Sequence, residues 1–269
     1  MLKRYLYELA GAQLAMTDRY QTFMIQFKEG DFAPAMHVPL QCSADEIIQR
    51  FGLLTPRPAL FMSGGASAMG EDAMNKVREW ITEGLAPFAE QHNLTVIDGG
   101  TEAGIMQILG EVHDERRYKF PLVGVAPLGR VRFPGHDNPN ADADLQRGHT
   151  HFVLVESNEW GGESQVLTSM TRAIANRHSP MLGVLINGGQ IAERDVYLAT
   201  AQGEDRIPML IVSGSGRKAD EITKAYETGV SENAVVRAII QGGSIRIAHM
   251  REGLANFVKE LSRQFKTLS

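Results

Sequence analysis

Cysteine is almost missing: Cys42 is the one thiol in 269 residues. A lone thiol forms no intrachain disulfide and is too little for a cysteine-based zinc site, so Cys42 is expected to be a small buried apolar residue. Aromatic residues are also sparse, at 7% with two tryptophans. That leaves little for the stacking platforms that hold single-stranded nucleic acid. Positive charge is in deficit, with 27 Lys and Arg against 32 Asp and Glu and a net charge of -5. A nucleic-acid-coating surface is normally basic, so nucleic acid is not an expected partner. No run approaches the ~18 apolar residues of a spanning helix. The first residues, Met1-Leu-Lys-Arg-Tyr-Leu-Tyr-Glu8, lack the uninterrupted apolar core of a secretion signal. No G-x-x-x-x-G-K-[ST] occurs, which argues against P-loop hydrolysis of nucleoside triphosphates. These absences leave a cytoplasmic protein with no membrane partner.

What the chain has in quantity is glycine, 27 residues, much of it in turns that follow apolar runs. The central example is Leu94-Thr-Val-Ile-Asp98-Gly-Gly-Thr-Glu102-Ala-Gly104-Ile-Met106. Residues 94–97 read as a buried strand, the chain breaks at Gly99-Gly100, and Ile105, Met106, Ile108, Leu109 and Val112 then follow helical spacing. A strand, a glycine turn and a helix leave unpaired backbone N–H groups at a helix start, where the peptide dipoles favour an anion. The same pattern recurs at Ser63-Gly64-Gly65-Ala66, at Asn187-Gly188-Gly189 and at Ser213-Gly214-Ser215-Gly216-Arg217. Gly214 to Ala219 also fits G-x-G-x-x-A, but it lies late in the chain, outside a leading βαβ unit. A phosphate nest with Arg217 or Lys218 as counter-charge is the better reading of that turn.

From Pro56 onward strands and helices alternate. Strands are expected at 59–63, 94–98, 122–126, 151–156, 181–187, 208–213 and 244–249. The helix after the first of these carries Met74, Val77, Trp80, Ile81, Leu85 and Phe88 on one face, and an amphipathic helix closes the chain through Leu254, Phe257, Leu261 and Phe265. Near-continuous apolar strands in β–α alternation imply an α/β fold, a doubly wound, mostly parallel sheet with helices on both faces. Ligands bind such sheets at the carboxyl ends of the strands, so the glycine turns should converge on one crevice. Residues 127–148 form a connection long enough to suggest a functional loop. Residues 1–54 read as an extension packed on a main domain of residues 55–269, with strands at 22–28 and 37–41 and a capping box, Ser43-Ala-Asp-Glu46, opening a helix to Phe51. A subunit contact is the alternative for that extension, and a homo-oligomer stays open.

Glu102, Glu156 and Glu163 fall at strand ends or the turns just after them. Each could be a general base or a hydrogen-bond partner of a ribose hydroxyl. His149 and His151 share a face in an extended segment, but no ligand-spacing motif accompanies them and no metal is assigned. Arg172, in the helix after Gly161-Gly162-Glu163, reads by itself as a surface residue.

Taken in order, these turns resemble the SLOG superfamily of Rossmann-like nucleotide-ligand domains. Within it they resemble the branch shared by the cytoplasmic N-terminal region of TRPM channels and stand-alone prokaryotic proteins. The resemblance rests on Ser63 to Ala66, Asp98 to Met106, His149 to Val155, Gly162-Glu163, Val184 to Gly189 and Ile211 to Asp220, and covers about residues 56–225. It implies binding of an ADP-ribose-type nucleotide, with no cofactor, contacted by the turn from Thr101 to Gln107 (Glu102 and Gly104 included) and by Arg172 and Arg217 on the diphosphate. A sister branch of phosphoribohydrolases has a second motif, P-G-G-x-G-T-x-x-E, that falls on Trp160 to Thr168. Here the double glycine stands without the leading proline, the G-T pair or the catalytic glutamate. Glu102 or Glu163 would have to act instead. The expected function is therefore the sensing or handling of a nucleotide-derived ligand.

Overall fold

The computed structural model describes residues 19–265 apart from 29, 66–68 and 202. Nine strands form one sheet. In chain order these are β1 (Gln21–Lys28), β2 (Asp31–Val38), β3 (Ala59–Gly64), β4 (Thr95–Asp98), β5 (Leu122–Pro127), β8 (His151–Val155), β9 (Met181–Ile186), β10 (Met209–Ser213) and β11 (Ile245–His249). Their spatial order is β1-β2-β8-β5-β4-β3-β9-β10-β11, while β6 (Val131–Arg132) and β7 (Ala143–Asp144) pair separately. Apart from the antiparallel β1–β2 pair, every neighbouring pair in the large sheet is parallel. The chain builds outward from β3 through β4 and β5, then returns to β3's other side with β9 and continues to β10 and β11. That reversal, between β3 and β9, is where a doubly wound sheet opens a crevice.

Alternation along the strands divides the core between the two faces of the sheet, with a third, smaller cluster of Ile25, Ala126, Val131, Leu145, Phe152 and Leu154 beneath residues 127–148. In β3, Ala59 and Phe61 face one side while Leu60 and Met62 face the other. The first face is covered by α1 (Ala44–Phe51), α5 (Ser164–Ala175), α6 (Gln190–Thr200), α7 (Arg217–Thr228) and α8 (Ala234–Gly242). The second lies under α2 (Glu71–Glu79), a π-helical turn (Trp80–Leu85), α3 (Ala86–Gln91), α4 (Gly104–Arg116) and α9 (Leu254–Phe265). Strands buried on both faces need apolar residues at every position, which explains the unbroken runs in the sequence.

Two expectations are corrected. The second early strand is 31–38 rather than 37–41. Pro34 reads as a breaker, but pairing of β2 with β8 starts only at Ala35, so the missing N–H costs no ladder bond on that side. The expected helix after β3 runs unbroken from Glu71 to Gln91, but it widens into a π-helical turn at Trp80–Leu85. Gly84 in that turn lets α9 approach, since a Cβ there would stand 2.8 Å from Leu254 Cδ1, and Pro87 removes an N–H from the ladder just beyond.

The turn after β4 depends on a glycine pair. Gly100 has φ +65°, and a Cβ built on Gly124 of the neighbouring strand would lie 2.6 Å from Gly100 Cα and 2.9 Å from the Phe152 ring. Backbone and an aromatic ring cannot yield that space cheaply. Gly124→Ala should therefore destabilise the fold by about 2–4 kcal/mol, read as a lower urea midpoint at unchanged m-value. A change below about 0.5 kcal/mol would show that the turn is free to move aside.

Candidate functional site

A crevice of about 530 Å³ opens at the reversal point. Ser63, Gly64 and Gly65 line it from the end of β3, Gly99 and Thr101 from the end of β4, and Gly189 to Ala192 from the start of α6. Arg217 at the start of α7, Glu163 just before α5 and Asp195 within α6 complete the polar lining. Met106, Trp160, Leu167 and Ile191 make an apolar wall, and Ile191 is 38% exposed there.

Helix starts define its electrostatics. Helices α1 and α8, whose residues do not line the crevice, are capped by the side chains of Ser43 and Asn233. Helices α4, α5, α6 and α7 follow Ala103, Glu163, Gly189 and Gly216, none of which caps with its side chain, although at α7 the Lys218 and Ala219 N–H groups already donate to Gly188 O and Asn187 O. First-turn N–H groups have no intrahelical partner, so an uncapped start facing a crevice offers donors to an anion. At α6 this is joined by the Arg217 guanidinium, which packs so closely over Gly189 that a Cβ there would meet Arg217 Nη2 at 2.9 Å. Arg217 makes no hydrogen bond or ion pair among the described residues. Its neighbour Lys218 is committed, at 2.9 Å to Glu193 and 2.8 Å to Glu221. The backbone approach is equally tight at Gly64, where φ is +142° and a Cβ would collide with the Ile186 carbonyl oxygen at 1.9 Å.

The turn from Asp98 to Glu102 is less free than its sequence suggests. Asp98 Oδ1 accepts the Gly100 N–H at 2.7 Å and lies 2.7 Å from His149 Nε2, both side chains fully buried. His149 Nδ1 lies 3.0 Å from the Gln146 carbonyl oxygen. The connection then pairs with the turn itself: the Gln146 N–H donates to Gly100 O at 2.9 Å and the Glu102 N–H to Asp144 O at 2.8 Å. Two donors expected to cradle phosphate are thus spent, the Gly100 N–H on Asp98 and the Glu102 N–H on holding residues 127–148 in place. His149 serves this clasp, and His151 is half-buried beside Phe51 at 5.1 Å, with desolvation pushing its pKa down to about 4. Among the described residues no group of three His, Cys, Asp or Glu could hold a metal ion.

Several sequence-derived candidates lie elsewhere. Arg172 does not line the crevice: its Nε donates to Asp205 O and its Nη2 to Leu198 O, both at 2.7 Å. A guanidinium finds backbone carbonyls at the end of α6 as good a partner as phosphate, and periodicity cannot tell the two apart. Glu102 faces a separate groove with Arg132, Phe133 and Asp144. Glu156 faces another with Leu40 and Asn158. Ser215 is buried, accepting from Asn187 N–H and donating to Val212 O, and so braces the two turns from within. Asn187 Nδ2 reaches Gly65 O at 3.1 Å. Gly100, Gly104, Gly162, Gly188, Gly214 and Gly216 shape these turns without lining the crevice, and Ala66 lies outside the described residues.

Asp195 and Trp160 were not anticipated. Asp195 accepts the Ser63 hydroxyl at 2.5 Å, and burial pushes its pKa up against the hydroxyls of Ser164 and Ser63 and the charge of Arg194. Its signal was available: an Asp at helical spacing among Ala192, Val196 and Ala199 on a buried face. Trp160 donates its indole N–H to Asp142 at 2.9 Å. Burial raises the Glu163 carboxyl to about 7, with Asp195 adding to the rise and the Gly161 N–H, which Oε2 accepts at 2.9 Å, opposing it.

The family model described as SLOG in TRPM, prokaryote, matches residues 57–259. The chain belongs to this family. It is similar to the mouse transient receptor potential cation channel subfamily M member 2, 23% identical over 252 residues that cover 81% of this chain and 16% of the channel. A Nematostella vectensis member-like 2 channel is 23% identical over 228 residues, 70% of this chain and 14% of that protein. A Caenorhabditis elegans transient receptor potential channel is 24% identical over 209 residues, 67% and 10% respectively. This chain thus spans less than a fifth of each of these relatives. No helix among the described residues is long and apolar enough to cross a membrane.

The raised Glu163 pKa has a stability consequence. A carboxyl lifted from its ordinary 4.5 to about 7 stabilises the fold fully below pH 4.5, and that contribution is lost as pH rises through 7. Glu163→Gln should therefore gain on the wild type between pH 5 and 8, by up to about 3 kcal/mol in urea unfolding. An identical pH profile in the two proteins would mean that Glu163 is solvated.

Proposed function

We propose that this crevice binds a nucleotide-derived ligand of the ADP-ribose or NAD-derivative type, and that the protein senses or handles that ligand. The observation carrying the reading is Arg217, a guanidinium without a partner among the described residues, held over Gly189 at the uncapped start of α6. A planar guanidinium fork suits phosphate oxygens, and here it acts together with backbone donors and a positive helix end. The volume lies within the range of small-molecule sites, and the wall of Met106, Trp160, Leu167 and Ile191 offers an apolar surface to the rest of the ligand. The resemblance to SLOG domains supplies the ligand class, and membership of the family supports it. The diphosphate role expected of Arg172 and Arg217 together falls in this reading to Arg217 and the α6 start.

Cleavage of an N-glycosidic bond has weaker support. The position of the sister branch's glutamate is held by Thr168, whose hydroxyl donates within its own helix to Ser164 O at 3.1 Å. Channel activity is not proposed.

Thermal unfolding against ADP-ribose, NAD, AMP and other nucleoside monophosphates tests the reading. A ligand at about 100 times its dissociation constant adds about 2.7 kcal/mol, a shift of roughly 5–10 °C for a chain of this length. Arg217→Ala should weaken binding by about 1.5–3 kcal/mol at unchanged stability. Arg172→Ala should do the reverse, costing about 1–3 kcal/mol of stability by leaving carbonyls unsatisfied. A variant pair with those effects exchanged would move the anion site to Arg172. No shift with any member of the panel would remove the nucleotide reading.

A further inference from the structure

The wall of the crevice formed by α5 and α6 carries two carboxyl groups, and no cation is paired with either. Glu163 and Asp195 are each 6% exposed, and neither forms an ion pair among the described residues. Arg194 is near enough to act on both through its charge, yet it makes no salt bridge with them. Glu163 is held by the N–H of Gly161 in its own turn, and Asp195 by the hydroxyl of Ser63. Arg217, by contrast, is a cation in the same crevice with no anion paired to it among the described residues. Such a lining fits a ligand that is anionic at one end and rich in neutral hydroxyls at the other.

We infer that Glu163 and Asp195 are specificity-determining residues that recognise the vicinal diol of a ribose while Arg217 holds the phosphate. This rests on the nucleotide reading and extends it to one part of the ligand. The chemistry of the pair favours a diol over its competitors. A phosphate would meet two buried carboxyls and be repelled. A cationic group would need both ionised, whereas burial pushes both toward their neutral forms, and Asp195 adds to the rise that takes Glu163 to about 7. A protonated carboxyl donates as well as accepts, which matches a hydroxyl that does both. A divalent cation would need further protein ligands, and no third His, Cys, Asp or Glu stands beside these two among the described residues. The demand for a hydroxyl is strict, because each carboxyl has one oxygen held by the protein and a ligand without a hydroxyl leaves the other shut off from water without a partner, and sites of this kind reject such analogues strongly.

The test is calorimetric titration with ADP-ribose and with two analogues, one lacking the 2′-hydroxyl of its adenosine and one lacking that of its terminal ribose. Whichever ribose faces the pair, one analogue should bind the wild type at least tenfold more weakly than ADP-ribose. Glu163→Ala should abolish that difference by weakening ADP-ribose and not the analogue. Asp195→Asn, which keeps the shape and removes the exchangeable carboxyl proton, should reduce it. Arg217→Ala should weaken all three ligands by one common factor. Equal binding of all three to the wild type, or a uniform loss in Glu163→Ala, overturns the inference and leaves the nucleotide reading standing. Failure of all three to bind the folded wild type removes the nucleotide reading, and the inference falls with it.

Discussion

Between Asp98 and His149 the chain closes a clasp on which the geometry of the crevice depends. The two side chains come from different strands' ends and meet at 2.7 Å with no exposed surface. Without His149 the buried Asp98 side chain would keep only the Gly100 N–H to offset its desolvation. Because Asp98 also takes the Gly100 N–H, the clasp sets the curvature of the glycine turn; because His149 rests on the Gln146 carbonyl, it also sets the end of the long connection. The connection in turn places Asp142 against Trp160 and Asp144 against the Glu102 N–H. One polar contact therefore joins the floor of the crevice to its apolar wall.

The fold was largely legible because two signals agreed. Apolar runs as in β3, β4 and β9 carry both the strand and its burial on two faces, and the glycines beyond them fall at strand ends, where a close backbone approach demands them. Gly64 against Ile186 and Gly100 against Gly124 show what that demand is physically. Legibility failed where local grammar and tertiary context part. Pro34 looks like a strand breaker and sits inside β2, and the amphipathic run through Trp80 and Leu85 looks regularly α-helical and contains a π-helical turn.

The candidate site was legible as a set of turns and not as a set of side chains. Arg217 and Arg172 are both helical arginines near glycine turns, and their difference lies in what stands opposite: an uncapped helix start for one, carbonyl oxygens at a helix end for the other. Asp195 sits in an apolar helical stripe, where an acidic residue is an anomaly whose partner, Ser63, lies 132 positions earlier. A pairing of that range has no periodic signature. Glu163 was visible as a carboxylate near a turn, but its neutral tendency comes from burial and from Asp195, neither of which is local in sequence.

The placement of the two tryptophans has a spectroscopic consequence. Trp80 is sealed in the core against Phe257, with ring centroids 4.8 Å apart, whereas Trp160 lines the crevice with its indole N–H on a carboxylate. The two chromophores therefore occupy surroundings of different polarity, and their emission bands should separate. The red component belongs to the indole that any occupant of the crevice must approach, and the blue component reports the packed interior. Filling the crevice and melting the core thus become two optical signals that can be followed in one unlabelled sample.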